Sequence, residues 1–143
     1  MDHLRLYTFK LCPFAHRVRL ALAEKRLMAE QIEIDLKNKP ADFKALSPTG
    51  HVPLLMHGTT KLWESAVILE YLEEAFPQHS LMPLQPAARA KARLWIEFAN
   101  ARLFAPTHRL IFTEDDTLRR ELVAAMIESV RVLDAAVTEQ PGG

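Results

Sequence analysis

The opening of the chain restricts its folding more than any other stretch. "LRLYTF" (Leu4 to Phe9) is short, apolar and aromatic, and reads as a buried strand. It runs into "KLCPFAHRVRLAL", where Cys12 and Pro13 stand at the N-cap and first position of a helix, because proline's fixed φ suits that place. Phe14, Val18, Ala21 and Leu22 then recur at helical spacing to about Arg26. "IEIDL" alternates strictly, with Ile32, Ile34 and Leu36 on one face, and predicts a second strand. A β-α-β opening of this kind demands a right-handed crossover and two parallel strands.

The next segment completes an α/β unit. A short helix is expected over Ala41 to Leu46, ended by turn signals at Ser47 to Gly50. "VPLLM" and "TKLW" are apolar runs joined through "HGT", a hairpin signal. From Ser65, Val67, Ile68, Tyr71, Leu72 and Ala75 form an amphipathic helix that stops before Pro77. The expected order is β-α-β-α-β-β-α over residues 1–78, with a mixed sheet covered by helices. Prolines and the lack of helical period make 79–86 a linker, and 87–143 an all-helical region. There, Leu94, Trp95, Phe98, Arg102 and Leu103 form one stripe up to about Leu110, with Pro106 kinking or ending the helix. Thr113 and Asp116 read as a capping box for a second long helix with the stripe Leu118, Leu122, Met126, Val130, Leu133 and Val137. Two helices make a poor core, and "EQPGG" reads as a loop leading onward, so further helices are expected beyond this chain.

Composition excludes several classes. The 143 residues are 49% hydrophobic and 25% charged, with zero formal net charge. That is too apolar for disorder, and neutrality gives no electrostatic case for nucleic acid or anionic lipid. No run approaches the roughly 20 apolar residues of a membrane span, and "MDHLRLYTF" lacks a secretory pattern. A single cysteine cannot make an internal disulfide. These features predict a cytoplasmic protein. None of the six histidines has metal-ligand spacing, so no metal is expected.

Three features carry chemistry. At a helix N-terminus a thiolate is stabilised by the dipole and free N–H groups, with Lys10, Arg17 and Arg19 nearby; alone, this leaves Cys12 equally a nucleophile or inert filler. Ala15 stands where a dithiol motif would hold its second cysteine, so disulfide chemistry would need an external thiol such as glutathione. The Val52–Pro53 step entering a strand is either a cis peptide that frees the Val52 backbone for a peptide-like ligand or a trans edge proline. Ser65 falls at a helix N-cap after Glu64, which fits simple capping or capture of an amino-acid head group. Lys39 could pair with another carboxylate, or be an ordinary surface lysine.

The order and spacing of these features resemble the cytosolic glutathione transferases. "CPFAHRVRLAL", "DLKNKPADF", "SPTGHVPLL" and "WESAVILEYLEEAFP" are most similar to the omega class, whose active residue is cysteine. The resemblance implies a thioredoxin-like first domain, a helical second domain, glutathione as co-substrate and a homodimer. It implies that Cys12 forms a mixed disulfide with glutathione near the Phe14 N–H, and that Lys39 faces the glycine carboxylate. Val52 would pair its backbone with the cysteinyl part beside a cis Pro53, and Glu64 and Ser65 would hold the γ-glutamyl end. The implied activity is glutathione-dependent thiol transfer or reduction, including dehydroascorbate reduction and deglutathionylation. Neither His16 nor His51 receives a role. The second-substrate pocket would draw on Trp95, Phe98, Arg102 and Phe104, although core packing accounts for the same stripe. "VRLALAEK", "LWES" and "LMPLQPAARAKARL" are also similar to stringent starvation protein A, an RNA-polymerase-associated scaffold of the same fold that does without the active cysteine.

Overall fold

The computed structural model describes residues 3–138; the terminal stretch 139–143, read above as a loop leading onward, lies outside them. Strand β1 (Leu4–Thr8) pairs in parallel with β2 (Ala29–Glu33) and antiparallel with β3 (Leu54–His57), and β3 pairs antiparallel with β4 (Thr60–Trp63). The sheet order is β2-β1-β3-β4. The β1–β2 crossover carries α1 (Pro13–Glu24), β2 leads to α2 (Ala41–Leu46), and α3 (Ser65–Ala75) follows the hairpin.

The pleat divides the core between two faces. Leu6 lies opposite Leu55, and both pack with Val18, Ala21 and Leu22 of α1 and Ile68 and Leu72 of α3. Tyr7 lies opposite Leu54, and this pair turns the other way, against Ala15, Ile34 and Phe43. Phe43 anchors the short α2 and stacks at 5.7 Å on Tyr7. The hairpin turns tightly at Gly58, whose φ of 57° suits a residue without Cβ.

Strand β2 begins earlier than the alternating "IEIDL" suggests. Its ladder starts at Ala29, opposite Leu4, and the Ile34 N–H closes it on the Thr8 carbonyl at 2.8 Å. Side-chain alternation tracks the apolar face, which Ile32, Ile34 and Leu36 do share, whereas the partner's register sets the backbone pairing.

A buried ion pair ties the end of α1 to α3. Lys25 Nζ donates to Glu73 Oε2 at 2.8 Å, to the Phe76 carbonyl at 2.9 Å and to the His79 carbonyl at 3.3 Å, which uses all three of its hydrogens. Glu73 also accepts from the Ser80 hydroxyl, from the Leu81 N–H at 3.0 Å and from the Met82 N–H at 3.4 Å. Burial alone would raise the Glu73 pKa. The hydrogen bond from Lys25, with those from Ser80 and Leu81, outweighs burial and lowers it from 4.5 to about 2.

Backbone packing divides the chain into one unit up to Arg89 and a second from Ala90, with α4 (Pro86–Ala99) spanning the boundary. The helix continues past Ala99 as a π-helical segment (Asn100–Phe104) into α5 (Ala105–Phe112), so Pro106 does not end it. Pro106 has no N–H and would crowd the carbonyl four residues back. The preceding turn widens instead, and Ala105 donates to the carbonyl of Asn100, five residues earlier. Of the expected stripe, Phe98 and Leu103 are sheltered along with Ile96 and Ala99, whereas Leu94 is 71% exposed and Trp95 and Arg102 are exposed.

Helix α6 (Asp116–Thr138) is capped by Asp115, whose Oδ1 accepts from the N–H groups of Thr117 (2.8 Å) and Leu118 (3.1 Å). Thr113 instead accepts from the Asp115 N–H and closes the turn before the cap. The inward line of α6 runs through Leu122, Met126, Ser129 and Leu133, leaving Val130 and Val137 exposed. A straight helix advances by 3.6 residues per turn, so a run of four-residue steps drifts off the buried face. No helix among the described residues is long and apolar enough to cross a membrane.

Lys25→Met is expected to cost about 3–5 kcal/mol in chemical denaturation, because it leaves a buried carboxylate without its counter-charge. Adding Glu73→Leu should not recover the loss, since the Ser80 hydroxyl and the Leu81 and Met82 N–H groups then lose their acceptor. A lowered carboxylate pKa stabilises the fold above the unfolded value, here 4.5, and the benefit is lost as pH falls through about 2. Denaturation midpoints should therefore fall across that window in the native chain, with a shallower fall in Glu73→Gln.

Candidate active site

The sheet register gathers the candidate residues at one edge. Tyr7, Leu54 and Trp63 form a row across β1, β3 and β4. Beyond that row β1 leads out toward Cys12, β3 is entered from Val52 and Pro53, and β4 runs into Glu64 and Ser65. Antiparallel pairing thus places three sequence-distant features at the same end of one sheet.

Cys12 is the N-cap of α1, with extended backbone at φ −75° and ψ 115° and Pro13 behind it. Its carbonyl accepts the first helical bond from His16 at 2.9 Å, and its N–H donates to Phe9 at 3.0 Å. The thiol is a free cysteine, 5% exposed, and Sγ lies 3.8 Å from the Val52 carbonyl. Behind the loop, Arg19 donates to the Thr8 hydroxyl at 2.6 Å and to the Phe9 and Lys10 carbonyls. Arg19 braces the strand-to-helix turn from which the thiol projects.

The Val52–Pro53 peptide is cis. Val52 is buried, and the turn before it is closed by the Gly50 N–H on the Ser47 carbonyl and by the Ser47 hydroxyl on the His51 carbonyl. Gly50 has φ of 67°, and a Cβ there would stand 3.9 Å from Lys39 Nζ. The Lys39 ammonium therefore lies beside the loop that presents Val52. The sequence gives no sign of this, because Lys39 and Gly50 are separated by the whole of α2.

Helix α3 starts differently from the sequence expectation. Glu64, not Ser65, is the N-cap residue: the Ile68 N–H donates to the Glu64 carbonyl at 3.0 Å, and Ser65 is already helical. Glu64 has φ of 65°, a left-handed conformation that side chains with a Cβ adopt at a cost. Ser65 is buried, and its hydroxyl accepts from Arg17 Nε at 3.0 Å and Nη2 at 2.6 Å. The Arg17 guanidinium also lies 5.8 Å over the Phe14 ring. From the sequence Arg17 is only part of a positive field around Cys12; its link to Ser65 requires α1 to pack on α3, which spacing cannot reveal.

Among the described residues, no group of three His, Cys, Asp or Glu side chains is arranged to hold a metal ion. In the second unit Trp95 and Phe98 meet edge to face at 5.5 Å.

A β-α-β-α-β-β-α unit on a β2-β1-β3-β4 sheet, with a thiol at the start of its first helix, defines a thioredoxin-like domain, here followed by helices. The family model described as "Glutathione S-transferase, N-terminal domain" matches residues 6–80, just over half of the chain. The chain belongs to the glutathione S-transferase family, and within it is omega-like. It is 37% identical over 95 residues to human glutathione S-transferase omega-2, covering 66% of this chain and 39% of that protein. It is 41% identical over 91 residues to the stringent starvation protein A homolog of Haemophilus influenzae, covering 64% of this chain and 43% of that one. The chain thus spans about two-fifths of the length of these relatives. Among solved structures, rice GST1 in complex with glutathione superposes with a TM-score of 0.82 at 33% identity, over 97% of this chain and 64% of that one.

The left-handed backbone at Glu64 yields a stability test. Glu64→Gly should raise stability by about 0.5–1 kcal/mol in urea denaturation, as glycine adopts positive φ without steric penalty. Glu64→Ala retains the Cβ and should show no such gain.

Proposed function

We propose that this chain binds glutathione along the edge assembled from Cys12, Val52, Pro53, Glu64 and Ser65, and uses Cys12 for thiol transfer. The observation that carries the reading is the Cys12 thiol facing the Val52 carbonyl at 3.8 Å, at the start of α1 and beside a cis-proline. A glutathione laid there would put its sulfur at Cys12 near the Phe14 N–H and pair its cysteinyl backbone with Val52. Its γ-glutamyl group would meet Glu64, Ser65 and the first N–H groups of α3, and its glycine carboxylate would meet Lys39.

The reaction proceeds by two disulfide exchanges. The Cys12 thiolate attacks the sulfur of a glutathionylated substrate; the Cys12–glutathione S–S bond forms as the substrate thiolate leaves and takes a proton from solvent. A second glutathione thiolate attacks the bound glutathionyl sulfur, releasing oxidised glutathione and regenerating the Cys12 thiolate. Ala15 cannot supply an internal resolving thiol, so a second glutathione is required. Dehydroascorbate reduction and removal of glutathione from conjugates would use the same cysteine. Residues 1–78 would bind glutathione, joined through 79–86 to the helical region 87–143, in a cytoplasmic homodimer.

A second reading rests on the similarity to the stringent starvation protein A homolog: a binding scaffold of the same fold without thiol chemistry. Incubation with oxidised glutathione separates the two. Mass spectrometry should show one glutathionyl adduct, mapped to Cys12, that free glutathione removes and that Cys12→Ala lacks. A chain that takes up no adduct and shows no saturable binding of glutathione would favour the scaffold.

A further inference from the structure

We propose that Arg17 is a positioning residue that fixes the Ser65 hydroxyl as a donor toward the α-carboxylate of a γ-glutamyl ligand; this rests on the glutathione reading above. A serine hydroxyl has one hydrogen to give and two lone pairs to receive, whereas a guanidinium only donates. Nε and Nη2 of Arg17 lie 3.0 and 2.6 Å from Ser65 Oγ, so both lone pairs are engaged. The hydroxyl hydrogen is the one remaining polar function, and Ser65 can only donate further. Withdrawal of electron density by a charged donor also strengthens that remaining bond.

The surroundings hold this arrangement in place. Ser65 is 3% exposed, which limits competition from water for its oxygen. It stands at the start of α3, where the N–H groups of the first turn lack helical partners and point toward an anion. Arg17 sits on the helix that carries Cys12 at its N-cap, its guanidinium lying over Phe14, and α1 packs on α3 through Val18, Leu22, Ile68 and Leu72. The side chain therefore couples the helix bearing the thiol to the helix start that meets the ligand's acidic end. A free-rotating hydroxyl would pay orientational entropy on meeting a carboxylate; the guanidinium removes that freedom beforehand.

The test compares two ligands on the 143-residue chain by titration calorimetry: glutathione, and γ-aminobutyryl-cysteinylglycine, which lacks only the α-carboxylate. Arg17→Met should weaken glutathione about tenfold, the size of one hydrogen bond to a charged group, and the analogue by less than about twofold. Ser65→Ala should show the same selective loss, and the double variant should be no weaker than Ser65→Ala, as for residues acting through one another. Arg17→Lys keeps the charge without the two-pronged donor and should recover only part of the affinity; it also carries the comparison if Arg17→Met does not fold in an unliganded thermal scan. Equal losses for both ligands, additive losses in the double variant, or complete recovery by lysine would overturn the role of Arg17 while leaving glutathione binding intact. Failure of the native chain to bind glutathione would overturn the glutathione reading, and this inference with it.

Discussion

The antiparallel pairing of β1 with β3 is the constraint on which the rest of the molecule depends. Leu6 against Leu55 fills one face of the sheet and Tyr7 against Leu54 the other, so both strands are committed to a two-sided core. A slip of one residue would exchange the two sets and present each to the wrong helices. The same register decides where the chain leaves and enters the sheet. Cys12 emerges beyond β1, Pro53 precedes β3 and Glu64 follows β4, all past the row Tyr7, Leu54 and Trp63. The meeting of thiol, cis-proline loop and helix start is thus a by-product of core packing.

Polar groups in this unit are held in two different ways. Lys25 and Glu73 satisfy each other and nearby backbone groups inside the protein, and between them tie α1 and α3 to the segment that follows. The arrangement is inward and complete. Where β1, β3 and β4 lead into the candidate site, Lys39 stands beside the Gly50 turn, Arg17 donates twice to the Ser65 hydroxyl, and Glu64 sits in left-handed backbone. Donors and strain concentrated on one rim suit a surface that meets a ligand, whereas the Lys25–Glu73 pair suits a fixed joint.

Elements governed by local chemistry were legible in the residues. Pro13 at the first helical position, the alternation of Ile32, Ile34 and Leu36, and the Gly58 hairpin each follow from φ preference or side-chain period. Structure and sequence pattern part company where a neighbour decides. Strand β2 starts at Ala29 because Leu4 lies opposite it, and Glu64 takes the cap because its carbonyl meets Ile68. The helix passes Pro106 because the preceding turn widens, and Val130 and Val137 turn outward because the stripe drifts with helical pitch. Of the candidate site, the residue types were readable from motif order. The pairing of Arg17 with Ser65 and the approach of Lys39 to Gly50 were not.

By itself, the sequence determined the order of strands and helices, the thiol at a helix entry, the Val-Pro step before a strand and the absence of a second cysteine. These depend on dihedral preference, hydrophobic period and residue identity over a few positions, which a linear chain carries in full. Tertiary structure alone decided that Cys12 faces the Val52 carbonyl, that Arg17 reaches Ser65 and that Lys25 is neutralised by Glu73. Those partners lie 40 or more residues apart, and they meet only because burying both faces of a four-stranded sheet leaves its helices and loop ends one way to close around it.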